Sequence, residues 1–259
     1  MAEKFLVPVS LPSWLCNSAR RVKRAFIPPA SPTSRVNIWG ERHVEWTFLS
    51  SQMPCGPGEA IEFGCEDGFM SLVAAQRGFH VLANDLLEQT FVWQHPNVEF
   101  RKGDFLKLTF PRNHFDLAIN CSSVEHVGVA GRYGIEVNQD DGDLQVMHRL
   151  VEIVKPGGLL LMTAPCGQDA VLAPWCRVYG SQRLPKLLQC FKIERDEYWS
   201  KNRKNQWVQC SQETALNFQS QHDRLDPHKC TYALGCFALR KIRNSLTPEE
   251  PKNLSPGAS

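Results

Sequence analysis

Four features are scarce in this 259-residue sequence, and each scarcity closes off a class of function. Long apolar runs are missing: stretches such as Leu159–Met162 fall far short of the ~20 residues a membrane-spanning helix needs. Charge of one sign is missing too. Lys and Arg total 29 against 27 Asp and Glu, a net of +2, so the chain has no strong global field for nucleic acid or acidic partners. No Cys-x-x-Cys occurs among the ten cysteines, which removes the usual paired redox and zinc signatures. A chain this long buries about 73% of its unfolded surface and needs no disulfide staples, so the cysteines read as packing residues of a reduced, cytoplasmic protein. The dinucleotide spacing Gly-x-Gly-x-x-Gly is likewise absent.

What remains is the composition of a globular protein, 42% hydrophobic and 22% charged, with its charge unevenly spread. Residues 1–35 carry Lys4, Arg20, Arg21, Lys23, Arg24 and Arg35 against Glu3, a net of +5, which leaves −3 for the rest. Leu15, Ala19, Val22 and Phe26 can share one helical face there, the pattern of a membrane-surface helix or a mitochondrial transit segment. A solvated basic extension is the preferred reading. Prolines 28, 29 and 32 mark a linker, and residues 244–259 read as a disordered polar tail. The domain between them is expected over 36–243, with a cap helix at 39–52.

Strand and helix signals alternate through the middle. Strands are expected at Ala60–Phe63, His80–Asp85, Val98–Arg101, Phe115–Cys121 and Leu159–Ala164, and helices at Gly68–Gln76, Asp143–Val154 and Ser181–Cys190. Leu144, Met147, Leu150, Val151 and Val154 supply the apolar stripe of the second helix, and Pro156, Gly157 and Gly158 end it. Phe191–Trp199 and Tyr232–Arg240 read as a closing strand pair, and residues 200–230, rich in Asn, Gln and Ser, as a long connection. Such alternation implies a doubly wound α/β sheet, whose ligands lie outside the carboxyl ends of its strands at the switch point.

The loop after the first strand holds Glu62, Gly64, Cys65, Glu66, Asp67 and Gly68. Its glycines let backbone approach a ligand. The second strand ends at Asp85, followed by Leu86, and the third leads into Gly103, Asp104 and Phe105. Three successive strand ends thus each carry a carboxylate, and one at Asp85 suits the two hydroxyls of a ribose.

This ordered series resembles the class I S-adenosylmethionine-dependent methyltransferases over residues 59–241, and Ser122–Leu188 is similar to a poorly characterised, type 11-like branch of them. The resemblance implies a Rossmann-like, mostly parallel seven-stranded sheet with an antiparallel terminal strand and helices on both faces. It implies S-adenosylmethionine as cofactor, with Glu62, Gly64, Cys65 and Gly68 in the first motif, Asp85 at the ribose with Leu86 beside it in the cofactor site, Asp104 and Phe105 at the adenine, and Asn120 and Cys121 lining the pocket. Glu66 departs from the family, whose motif has a glycine there. The cofactor is net cationic, so the acids of this loop suit it, whereas a dinucleotide pyrophosphate would meet Glu66 and Asp67 as like charges.

Glu125 and His126, after the fourth strand, are the acid–base candidates, with structural packing as the competing account. Asp140, Asp141 and Asp143 read as a capped helix start with solvated acids rather than a metal site. Cys210, His222, His228 and Cys230 have irregular spacing for zinc, so no metal is expected. Lys201, Arg203 and Lys204 beside Trp199 and Trp207 read as a solvated loop before a single-stranded nucleic-acid patch. The expected activity is methyl transfer to a small-molecule acceptor. The alternatives are a catalytically silent binding domain and, behind it, an NAD-linked oxidoreductase.

Overall fold

The computed structural model describes residues 41–242 except 132, 203–205 and 223–229, with only the backbone of His222 and Cys230. The basic extension, Trp39, Arg203, Lys204, His228 and the 244–259 tail lie outside the described residues.

The chain enters through α1 (Glu41–Gln52) and then alternates β1 (Gly58–Phe63), α2 (Phe69–Gln76), β2 (Phe79–Asp85), β3 (Val98–Lys102) and β4 (Phe115–Cys121). A 3-10 turn (Val124–His126) precedes α3 (Gly142–Ile153) and β5 (Val154–Cys166). After a small hairpin, β6 (Ala170–Leu172) and β7 (Cys176–Val178), come α4 (Arg183–Leu188), β8 (Phe191–Lys201), β9 (Trp207–Cys210) and α5 (Gln212–Leu216). The short pair β10 (Gln221–His222) and β11 (Cys230–Thr231) leads into β12 (Ala233–Lys241).

The main sheet runs β3-β2-β1-β4-β5-β12-β8-β9. Its first five strands are parallel, and β12 is antiparallel to both neighbours. The central strands are buried on both faces, which is why Leu159–Ala164 and most of β12 are nearly continuous apolar sequence. One face packs α1 and α2 through Phe48, Leu49, Met70 and Ala74 against Leu117, Ile119, Leu161 and Leu234. The other packs α3 and α4 through Met147, Leu150, Ile153 and Leu184 against Leu160, Met162 and Phe237. The edges are blunted by charge: β3 carries Glu99, Arg101 and Lys102, and the exposed part of β8 carries Lys192, Glu194 and Arg195.

Several expectations are corrected. The sheet has eight strands rather than seven, because Trp207–Cys210, in the stretch read as a long connection, pairs with β8 as β9. The expected closing pair is present: β12 runs antiparallel to β8 and lies between it and β5. The buried face of α3 is Val146, Met147, Leu150 and Ile153, rotated from the expected stripe. Strand β5 begins directly at Val154. Pro156 to Gly158 form a bulge within it, Gly157 at φ +80°, before pairing resumes at Leu117 with Leu159. Asp143 is not a solvated acid: it is fully buried, gripped by Arg183 Nε at 2.9 Å and Nη2 at 2.5 Å, with Arg177 Nε at 3.8 Å.

Candidate functional site

Parallel strands β1, β2 and β4 end at one edge of the sheet, and the order reverses between β1 and β4, so the first crevice opens there. The loop leaving β1 is wound tightly. Gly64, Glu66 and Gly68 all have positive φ (68°, 47° and 70°), and Gly64 N and Cys65 N both donate to Asn84 O at the end of β2. A side chain at Gly64 would strike Ser123 Oγ, so that glycine is demanded by the close approach of the β4 loop. Glu66 takes the left-handed conformation a glycine adopts more cheaply. Its side chain is 75% exposed and turns out of the loop to Arg42 Nη2 at 3.3 Å, so the residue that departs from the motif keeps the backbone path.

The carboxylate of Asp85 closes the same loop: Oδ2 accepts from Glu66 N at 3.1 Å and Oδ1 from Leu87 N at 2.9 Å. Leu86 beside it is 41% exposed. Asp104 caps the turn after β3, accepting from Leu106 N at 3.0 Å and pairing with Lys107 at 3.1 Å. Phe105 is a core side chain, its ring 4.6 Å from Phe63 and 5.3 Å from Phe110. Only its backbone is left to a ligand. Glu62 also faces inward: it is buried and accepts from Ser71 N at 2.7 Å and from Ser71 Oγ, and burial raises its carboxyl to about 8. It ties β1 to α2. Asn120 performs a similar closure at β4, donating to Phe63 O at 3.4 Å and accepting from Val124 N at 3.3 Å.

Burial, with Glu62 near Cys65 and Glu45 near Cys121, raises both thiols above their ordinary range, so neither is a thiolate nucleophile. Glu125 is buried in the 3-10 turn, with Oε1 3.8 Å from His126 Nε2. His126 Nδ1 lies 2.5 Å from Trp175 O, and because a carbonyl can only accept, Nδ1 carries the proton and donates to it.

The residues by which α1 covers the crevice are not singled out in the sequence. Arg42, in the first turn of α1, donates to Glu45 Oε2 at 2.8 Å and to Cys121 Sγ at 3.4 Å. Glu45 is fully buried, and its Oε1 accepts from Thr163 Oγ1 at 2.8 Å and from Ser122 Oγ. The available signal was positional: Glu45 stands in line with Phe48 and Leu49 on the apolar face of α1. Trp46 stacks on Phe69 at 4.4 Å, pinning α1 to α2. Lys201 was read as part of a solvated patch, but it is half-buried, with its ammonium 5.0 Å over the Trp207 ring. Among the described residues no group of three or more His, Cys, Asp or Glu is arranged to hold a metal, and no helix is long and apolar enough to cross a membrane.

Residues 99–226 match the family described as "Caenorhabditis protein of unknown function, DUF268", a span that begins in β3 and leaves out the glycine loop and Asp85. No curated protein sequence matches the chain. Among solved structures, it is similar to the N-methyltransferase NodS from Bradyrhizobium japonicum WM9 in complex with S-adenosyl-L-homocysteine (TM-score 0.51, 15% identity, 78% of this chain and 86% of that one). It is also similar to the [4+2]-cyclase SpnF (TM-score 0.50, 19% identity, 79% and 82%). A third is the complex between the Haloferax volcanii Trm112 methyltransferase activator and the putative methyltransferase (TM-score 0.51, 11% identity, 78% and 92%). The likeness is one of fold: this chain has the class I methyltransferase-like, Rossmann-like architecture. A fold shared with a cyclase does not name a reaction, so the site must argue it.

Proposed function

We propose that this protein, a chain of class I methyltransferase-like fold, binds S-adenosylmethionine and transfers its methyl group to a small-molecule acceptor. The observation that carries the reading is the acid-lined loop between β1 and α2, where the Asp85 carboxylate is held against Glu66 N–H while Glu66 and Asp67 stay exposed. That arrangement suits a cationic ligand and repels a pyrophosphate. Each Asp85 oxygen keeps a further lone pair, enough for a pair of ribose hydroxyls. In this reading Leu86 and the Asp104–Phe105 backbone receive the adenine, and Gly64, Cys65 and Gly68 the methionine end. Glu62 shapes the loop through Ser71, and Asn120 and Cys121 form the wall.

When bound, the cofactor supplies a sulfonium-activated methyl group, so the protein's task is to align the acceptor and exclude water. Glu125 and His126 are the acid–base candidates, with Nε2 as the exchanging atom because Nδ1 faces Trp175 O. We read 36–243 as the catalytic domain, flanked by a basic extension and a polar tail, in a cytoplasmic protein.

Calorimetric titration with S-adenosylhomocysteine tests the cofactor. Saturable binding at one site per chain is expected, and no detectable binding sinks the proposal. Binding without transfer of labelled methyl into a cell extract would identify a silent binding domain instead.

A further inference from the structure

The first turn of α1 and the β8–β9 hairpin carry a second set of polar groups that the cofactor reading does not use. Strand β12 fixes their level. Leu234 pairs with Pro165 of β5 on one side and with Trp199 of β8 on the other, so Lys201 extends past the site edge of the sheet. Trp207 pairs with Lys201, and Gln209 with Trp199. By strand alternation Trp199, Lys201 and Trp207 therefore share one face, the face on which α1 packs. At the start of α1, Arg42 reaches the β1 loop, while Glu41 interacts electrostatically with Lys201.

Three polar atoms here are buried without a hydrogen-bond partner among the described residues: Glu41 Oε2, Trp199 Nε1 and Trp207 Nε1. Native structures retain few such atoms, because a desolvated, unpaired polar group forfeits its hydrogen bond to water with no replacement. The three are chemically complementary as a set: one acceptor and two donors. Burial, reinforced by Glu45, raises the Glu41 carboxyl to about 7, a rise that Arg42 and Lys201 oppose without cancelling. The Lys201 ammonium over the Trp207 ring displays the preference of this corner for a cation against an indole face.

We propose that Glu41, Trp199 and Trp207 form the acceptor subsite, and that it takes a small amine carrying a hydrogen-bond-accepting oxygen. The amine donates to Glu41 Oε2 and lies against indole, and the oxygen accepts from the indole N–H groups. The assignment rests on the methyltransferase reading for its name as an acceptor site, but the binding chemistry stands on its own.

The test uses the full chain and reads tryptophan fluorescence with three matched probes: tyramine (amine and oxygen), phenethylamine (amine alone) and tyrosol (oxygen, no amine). Saturable quenching is expected to be tightest for tyramine, weaker for phenethylamine and weakest for tyrosol. Glu41→Gln should weaken tyramine by at least about tenfold and erase its advantage over tyrosol. Trp207→Phe should reduce the quenching amplitude. Both variants should bind S-adenosylhomocysteine as wild type does, which also reports that they fold. Tyramine binding no tighter than tyrosol, or unchanged in Glu41→Gln, overturns the subsite. If S-adenosylhomocysteine binding is absent while tyramine binds as described, the cofactor reading fails and the amine site survives.

Discussion

The guanidinium of Arg42 bridges Glu45 Oε2 at 2.8 Å and Glu66 Oε2 at 3.3 Å, and so ties the helix over the site to the loop that would hold the cofactor. The two contacts differ in kind. Glu45 is fully buried and locked by Thr163 and Ser122, whereas Glu66 is largely exposed. Burial opposes the charge on Arg42, but Glu45 and its other neighbours more than offset this and hold it protonated beyond the ordinary guanidinium range. The anchor is therefore on the Glu45 side, and the Glu66 side is the part that can give.

Glu66→Gly should consequently be close to neutral. It removes an exposed ion pair worth about 0–1 kcal/mol and a left-handed non-glycine residue costing about 1–2 kcal/mol, against the added chain entropy of glycine, about 0.5–1 kcal/mol. Urea denaturation is expected to change by less than about 1 kcal/mol, with S-adenosylhomocysteine affinity retained. A loss of affinity would show that the Glu66 side chain itself contacts the ligand.

Glu45→Ala should behave oppositely. It leaves the part-buried Arg42 and two inward hydroxyls without their acceptor, a loss of about 2–4 kcal/mol in equilibrium unfolding. Glu45→Gln, which keeps the shape and one acceptor oxygen, should recover part of it. A Glu45→Ala protein as stable as wild type would mean that α1 is not anchored through this cluster.

Strands β1, β2, β4 and the Leu159–Ala164 part of β5 were legible as mostly apolar runs and β3 through Val98 and Phe100, each ending at a glycine, acid or turn, and that same punctuation placed Asp85 and the glycine loop at the sheet edge. Glu45 was not, since a glutamate in a helix reads as solvated until Thr163, 118 residues later, presents a hydroxyl to it. Asp143 was misjudged for the same reason: the Arg183 that buries it lies 40 residues on. Strand β9 is four residues inside polar sequence, too short for alternation to show. Local pattern encodes faces and ends, and pairing of charges across the fold is not local.

Asp143 also gives a metal-related expectation. Its carboxylate is already held by Arg183 and faces Arg177, so neither magnesium nor a chelator should move the melting temperature. Asp143→Ala strands the buried Arg177 and should cost about 3–5 kcal/mol, while S-adenosylhomocysteine binding by the remaining folded protein stays as in wild type. A melting temperature that rises with magnesium and falls with chelator would reopen the acidic cluster as a cation site.

Glu62 should make stability fall as pH rises. Burial raises its carboxyl from the ordinary 4.5 to about 8, with the Ser71 hydrogen bonds opposing, so between those values the folded protein binds more protons than the unfolded chain. That contribution is whole below about 4.5 and is lost as pH climbs through about 8. Glu41, raised to about 7, acts in the same direction. The slope from one such group is at most about 1.4 kcal/mol per pH unit. Glu62→Gln keeps an acceptor for Ser71 and removes the titration, so unfolding free energies measured from pH 5 to 9 should decline less steeply in the variant. Parallel slopes would place the titration elsewhere.

Asp85 separates loop architecture from ligand recognition. Its two oxygens hold Glu66 N–H and Leu87 N–H, so Asp85→Ala should loosen the loop by about 1–3 kcal/mol and weaken S-adenosylhomocysteine about ten- to hundredfold. Asp85→Asn is the sharper variant, because its amide oxygen still accepts one of the two backbone N–H bonds while the charge and one acceptor are gone. Stability near wild type with affinity still clearly reduced would assign the loss to the ribose hydroxyls rather than to a collapsed loop. Affinity that tracks stability across both variants would mean that Asp85 serves the loop alone, and unchanged affinity in Asp85→Ala would remove it from the site.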